Sequence, residues 1–200
     1  MKALFVFLAF ALVGPHVETP VIVHRLIVQP TSTVNIEGST NVNRYNCTIS
    51  RYTGSDTLVI HEGGQNVRPV FVNGEVKLNA ASFDCGIALM TSDFHKAINS
   101  KIYPSIVIDF ISFEKMPAYT PAPEKFRGIL KISLAGVTKL FEVNCAIEVD
   151  EKEIIHLTGS RNFHFSDFRL TPPTRMLGAV KVKEELRVSF HLRLMLDPNS

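Results

Sequence analysis

Three cysteines and seven histidines are the side chains here with the most chemistry to offer, and their spacing offers little of it. A zinc site needs thiolates and imidazoles at short intervals, whereas Cys47, Cys85 and Cys145 are far apart and form no Cys-x-x-Cys pair. No Gly-x-Ser-x-Gly elbow is present to expose a nucleophilic serine on a strand-to-helix turn. Gly63-Gly64 precedes no helix start, so it is not a phosphate loop. His164 and His191 fall in strand patterns, where an outward or satisfied position is usual. His156 and His164 would have to meet across a sheet to share a metal, and no carboxylate stands at a defined spacing from them. These residues point away from an enzyme, and they imply neither a cofactor nor a metal.

The chemistry the chain does offer is apolar. Several segments alternate apolar and polar residues with period two, which places one set of side chains on a buried face. The inward sets are Val72, Val76 and Leu78; Ile106, Ile108 and Phe110; Leu130 and Ile132; Phe141 and Val143; Phe163 and Phe165; and Val188, Phe190 and Leu192. Phe94 and Ile98 add an apolar helical face. A long hydrocarbon sequestered among them would gain ~0.8 kcal/mol per CH₂ withdrawn from water, so binding needs few polar contacts. Alternation reports burial alone, and the same residues equally suit a core filled by their own side chains.

The elements that must position these residues are mostly strands. The stretch Met90–Phe113 reads as a helix near 92–99, with Thr91 and Ser92 as N-cap candidates and Asp93 in the first turn. Pro104 stops it before a β-branched strand begins. Arg25–Gln29, Thr33–Glu37, Tyr45–Ser50 and Thr57–His61 precede it as strand candidates, and Glu62–Asn66 is a loop. Val70, Val72, Val76 and Leu78 read as one strand despite Gly74. Downstream, Met116–Glu124 is a proline-rich loop and Gly136-Val137-Thr138-Lys139 a hairpin turn. Ile155–Phe165 holds a strand or two broken at Gly159, and Leu186–Leu196 is the clearest alternating run. Many turn-separated strands with one helix exclude a doubly wound sheet and leave an antiparallel sandwich or barrel; the strand lengths and the lack of a second core domain favour a closed all-β antiparallel barrel of about eight strands, which can hold one apolar ligand. The Phe94, Ala97 and Ile98 face then has a destination, the open end of the barrel, where the helix would act as a movable cap.

Charge and composition narrow the partners. The formal net charge is +2, from 21 basic and 19 acidic residues spread along the chain, with no basic cluster interleaved with aromatics, so nucleic acid is not expected as a partner. The hydrophobic fraction of 46% is partly the N-terminus, where Lys2 precedes the unbroken apolar run Ala3–Val13. Residues 1–19 read as a secretory signal peptide, cleaved after Ala11 or near Gly14, and 24–197 as a single domain; the competing reading is an N-terminal core strand. Export would bring the cysteines into an oxidising compartment. Cys145, in the apolar run Phe141–Cys145, reads as a buried thiol, and Cys47 and Cys85, beside turn-like segments, are the expected pair, although spacing alone does not fix connectivity.

Four segments in order resemble the YceI-like family. They are Gly38-Ser39-Thr40-Asn41-Val42-Asn43; the helix and Tyr103-Pro104-Ser105-Ile106-Val107-Ile108 block within Met90–Phe110; the hairpin from Phe126-Arg127-Gly128 through Gly136-Val137-Thr138-Lys139; and Ser166-Asp167-Phe168 followed by Pro172-Pro173. The match runs over residues 31–196, with Ile108 where the family often has Phe and with the hairpin tail shifted at Leu134-Ala135. The resemblance implies a lipocalin-like barrel with an inserted helix, exported to the bacterial periplasm or otherwise secreted. It implies a long isoprenoid or related amphiphile inside, exchanged through peripheral membrane contact, and no enzymatic activity. In a bacterial chain the Asn46-Cys47-Thr48 sequon is coincidental. A ligand-free barrel serving as a structural or interaction module at the cell envelope is the alternative.

Overall fold

The computed structural model describes residues 22–49, 51–64 and 67–198, so the apolar leader lies outside the described residues. In chain order the strands are β1 (Ile22–Val28), β2 (Thr33–Ser39), β3 (Arg44–Ile49), β4 (Thr57–Glu62), β5 (Val70–Asn73) and β6 (Glu75–Asn79). Helix α1 (Ala88–Ala97) follows, then β7 (Ser105–Phe113), β8 (Glu124–Leu134), β9 (Val137–Val149) and β10 (Ile155–His164). The two-residue strands β11 (Thr174–Arg175) and β12 (Val180–Lys181) form a small strap before β13 (Glu185–Leu196).

Strands β1, β4, β5, β7, β8, β9, β10 and β13 pair in that order, and β13 returns to β1, which closes an eight-stranded antiparallel barrel. Closure removes the unpaired edge that an open sheet would expose. Toward the helix end the wall changes hands. There β13 pairs with β2 over Arg187–His191 rather than with β1, and β6 replaces β5 against β7. Between β3 and β6 the wall would gape, and the segment from Ala80 to Cys85 fills that gap. Thr48 and Asp84 exchange both backbone hydrogen bonds, at 2.8 and 3.0 Å, and the Cys47–Cys85 disulfide locks the seam. Closing a loop of 38 residues, this cross-link stabilises the fold by about 4 kcal/mol through the unfolded chain's lost entropy. Cys145 is a buried free thiol whose pKa burial pushes up to about 12.

Local sequence accounts for most elements and fails at identifiable points. Helix α1 starts at Ala88, earlier than Thr91 or Ser92 would place it, and Ile87 at its N-cap supplies no side-chain bond. Thr91 is occupied elsewhere, because its hydroxyl donates to the Asp84 carboxylate and accepts from the Cys85 N–H. The helix ends on left-handed Asn99 (φ 53°), several residues ahead of Pro104. Gly74 splits the expected Val70–Leu78 strand into β5 and β6. A Cβ there would sit 1.9 Å from the Phe110 carbonyl oxygen. The register slips between Phe71 and Asn73 where β5 pairs with β4, which shifts the alternation by one residue. Phe71 therefore packs on the core, whereas Val72 is 57% exposed and leaves the inward set. The β8–β9 turn is the two-residue Ala135-Gly136 pair at φ 50° and 79°, as a tight hairpin requires, and Val137–Lys139 already belong to the return strand. Strand β10 runs unbroken through Gly159, where a Cβ would come within 2.3 Å of the Phe190 ring.

Candidate functional site

The interior divides into a filled base and a hollow upper part. At the base, Phe113 meets Phe71 and Phe126 edge-on, with centroids 4.9 and 4.7 Å apart, and Phe110 meets Phe190 at 5.7 Å. Such edge-to-face pairs pack densely and add specific stabilisation beyond burial. Above them a narrow void of about 30 Å³ lies among Ile108, Leu130, Ile132, Val143, Phe163, Val188 and Phe190. Higher still, directly beneath α1, is an apolar cavity of about 90 Å³. Leu78, Ile106, Ile108, Ile132 and Leu134 form one wall, Val34, Ile36, Leu186 and Val188 another, and Phe83, Phe94 and Ile98 the roof.

The roof is built by three devices. His95 Nε2 lies 3.0 Å from the Phe83 carbonyl and ties α1 to the segment that the disulfide anchors. Phe94 stacks on Phe83 with centroids 5.3 Å apart. On the far side, the Ser166-Asp167-Phe168 motif forms a 3-10 turn in which the Asp167 carboxylate accepts the His164 N–H at 2.9 Å. The left-handed Arg169 (φ 55°) ends the turn, and Phe165 and Phe168 are buried. Phe168 completes an aromatic group with Phe141 and Phe163 at 5.7 and 6.1 Å.

Outside the roof is a second hollow, a groove of about 310 Å³ between α1, the β2–β3 turn and the strap. Phe94 and Phe165 line both spaces and therefore form the partition between them. The groove lies within the ~300–1,000 Å³ typical of small-molecule sites, whereas the inner cavity is smaller than that range. Asp93 of α1 and Arg175 of the strap, both lining the groove, form an ion pair that bridges the two elements. Tyr45, also at the groove, is pushed up to about 12 by burial and stays a neutral phenol. The inner lining is apolar apart from His164 at its edge, which suits hydrocarbon.

Most of the inward residues expected from alternation do face these spaces. Leu78, Phe94, Ile98, Ile106, Ile108, Ile132, Phe163, Phe165 and Val188 line the inner cavity, and Leu130, Val143 and Phe190 the void below it. Val76, Phe110, Phe141 and Leu192 are buried as packing and line neither. Val34, Ile36, Leu134 and Leu186 were legible as members of alternating runs. Phe83, Phe168 and Leu170 come from turns and carried no periodic signal. The notion of a shared His156–His164 site fails, because the two lie on one strand, eight residues and roughly 26 Å apart. His156 instead meets His191 at 2.7 Å and Asp150 at 3.1 Å on the polar side of the wall. Among the described residues no group of three or more His, Cys, Asp or Glu side chains could hold a metal ion.

No family model matches the sequence, and no curated protein matches it. Solved structures do. A polyisoprenoid-binding domain from Saccharophagus degradans, implicated in plant cell wall breakdown, aligns with a TM-score of 0.62 at 10% identity, over 86% of this chain and 98% of that one. BcnA of Burkholderia cenocepacia aligns at 0.59 and 15% identity, over 81% and 95%. The YceI protein of Campylobacter jejuni aligns at 0.50 and 15% identity, over 70% and 80%. The fold is that of the YceI-like barrels.

Proposed function

We propose that this protein is a non-catalytic carrier that holds the hydrocarbon chain of an isoprenoid-like or other long amphiphile beneath α1. The observation that carries the reading is the apolar cavity of about 90 Å³ at the helix end, with Phe94 and Phe165 shared between its lining and that of an open groove. Its support from comparison is the likeness in fold to a domain described as polyisoprenoid-binding. Filling a void of that size with matching apolar atoms regains about 2 kcal/mol at ~24 cal/mol per Å³. Each further CH₂ drawn from water adds ~0.8 kcal/mol. The head group would stay in the groove, and the chain would enter past Phe94. Secretion to the periplasm and exchange of the ligand at a membrane belong to the same proposal.

The aromatic base favours a second reading. With Phe71, Phe110, Phe113, Phe126 and Phe190 occupying the base, a chain threading the whole barrel has no room, and a filled barrel could serve as an interaction module at the cell envelope. Native mass spectrometry of the purified protein followed by organic extraction separates the two. A carrier retains or takes up lipid, and Ile108→Arg, which places a charge in both hollows, abolishes retention. An apo mass together with no displacement of a polyene fatty acid probe would leave the interaction module standing.

A further inference from the structure

Five large apolar side chains stand exposed at the helix end. Val42 is at the β2–β3 turn, Ile87 and Leu89 are at the start of α1, and Met176 and Leu177 are at the tip of the strap. Met176 is 75% exposed and Leu177 fully so. Specific contacts gather these segments onto one rim. Asn41 donates from Nδ2 to the Ala179 carbonyl at 2.8 Å, and its Oδ1 accepts the Lys181 N–H at 2.9 Å, which fastens the strap to the turn that carries Val42. Arg175 fastens the other side of the strap to α1 through Asp93. Val42, Ile87 and Leu89 also line the groove, so the apolar rim and the groove are continuous.

The charge around this rim selects its partner. From Arg169 to Lys183 the chain carries Arg169, Arg175, Lys181 and Lys183 and not one carboxylate. Arg44 follows the β2–β3 turn and is exposed. Of the nearby carboxylates, Asp93 is paired with Arg175, whereas Asp84 and Glu184, the latter beside Lys183, accept neutral donors, from the Gly86 N–H and Thr91 hydroxyl and from the Ser166 N–H. Apolar tips flanked by Arg44, Arg169, Lys181 and Lys183, none of which forms an ion pair among the described residues, suit an interface whose outer layer is anionic and whose interior is hydrocarbon.

Resting on the carrier reading above, we propose that this rim docks onto an anionic lipid bilayer, with Met176 and Leu177 entering the acyl boundary and Lys181 and Lys183 meeting phosphate head groups. The groove then opens onto the membrane from which the ligand comes. The test is sedimentation of the purified full chain with two kinds of vesicle, phosphatidylcholine alone and phosphatidylcholine with phosphatidylglycerol, neither containing an isoprenoid. Binding to the anionic vesicles alone is expected, weakening as salt rises. Lys181→Gln with Lys183→Gln should weaken it roughly thirtyfold, about fivefold per cation. Met176→Asp with Leu177→Asp, at positions outside the core, should abolish it, while Leu196→Asp at the opposite end of the barrel should leave it intact. Circular dichroism checks that each variant is folded. Sedimentation with neither vesicle, equal sedimentation with both, or wild-type binding by the Met176/Leu177 variant overturns the surface. Vesicle binding without any lipid uptake leaves the surface standing and overturns the carrier reading instead.

Discussion

Replacing Phe94 by Ala tests the partition on which the carrier reading turns. The ring stacks on Phe83 at 5.3 Å and borders both the inner cavity of about 90 Å³ and the groove of about 310 Å³. Its loss merges them into one tunnel within the ~300–1,000 Å³ range of small-molecule sites. Full burial of a phenylalanine makes its truncation cost ~3–5 kcal/mol, and because Phe94 is only half-buried about 2 kcal/mol is expected. Denaturant unfolding of the variant measures that loss. Stopped-flow uptake of a polyene fatty acid should accelerate at the same time, because the chain no longer waits for an aromatic ring to move. Phe94→Trp, which thickens the partition, should slow uptake while leaving the final occupancy near that of the native chain. If Phe94→Ala loses stability but takes up the probe at the native rate, the route does not pass through the roof, and the ligand path must be sought elsewhere in the wall.

Other parts of the fold give equally direct expectations. Cys47→Ser with Cys85→Ser should lower the unfolding free energy by about 4 kcal/mol and loosen the seam under α1, read as faster amide exchange in the residues following β6. Gly74→Ala should cost more than ~3 kcal/mol in denaturant unfolding, since the new Cβ meets backbone that cannot step aside, 1.9 Å from the Phe110 carbonyl oxygen. Gly159→Ala meets a ring instead, and a milder loss of ~1–3 kcal/mol is expected. The His191 imidazole is held below its ordinary value, first by burial and then by His156 and Arg193, with Glu148 opposing. A depressed histidine binds its proton less readily folded than unfolded, so its contribution is intact above the ordinary value of ~6.5 and is lost as pH falls from there through the lower folded value. Thermal unfolding between about pH 7 and pH 5 should show that decline, and His191→Gln should flatten it.

The alternating runs determine that this chain is built mostly of antiparallel strands with one buried face, and strand length favours a barrel over a sandwich. Leu186 through Leu194, Leu130 with Ile132, and Phe141 through Ile147 each present every second side chain inward, and a two-residue period permits no other buried face. The same periodicity picked out Leu78, Ile106, Ile108, Ile132, Phe163, Phe165 and Val188 of the inner lining. It misplaced Val72, because the register slips between Phe71 and Asn73 where β5 pairs with β4, and such a slip reverses the parity across it and depends on how the neighbouring strands pair. It also could not find Phe83, Phe168 or Leu170, which reach the cavity from turns whose positions are set by a disulfide and a 3-10 turn rather than by period. Only the tertiary structure decided which buried residues surround space and which fill it. Ile108 borders both hollows, whereas Phe110 two positions along closes the base against Phe190. Alternation reports that a side chain leaves water, but a cavity is what remains after all the inward side chains have packed against one another, and that depends on their joint arrangement.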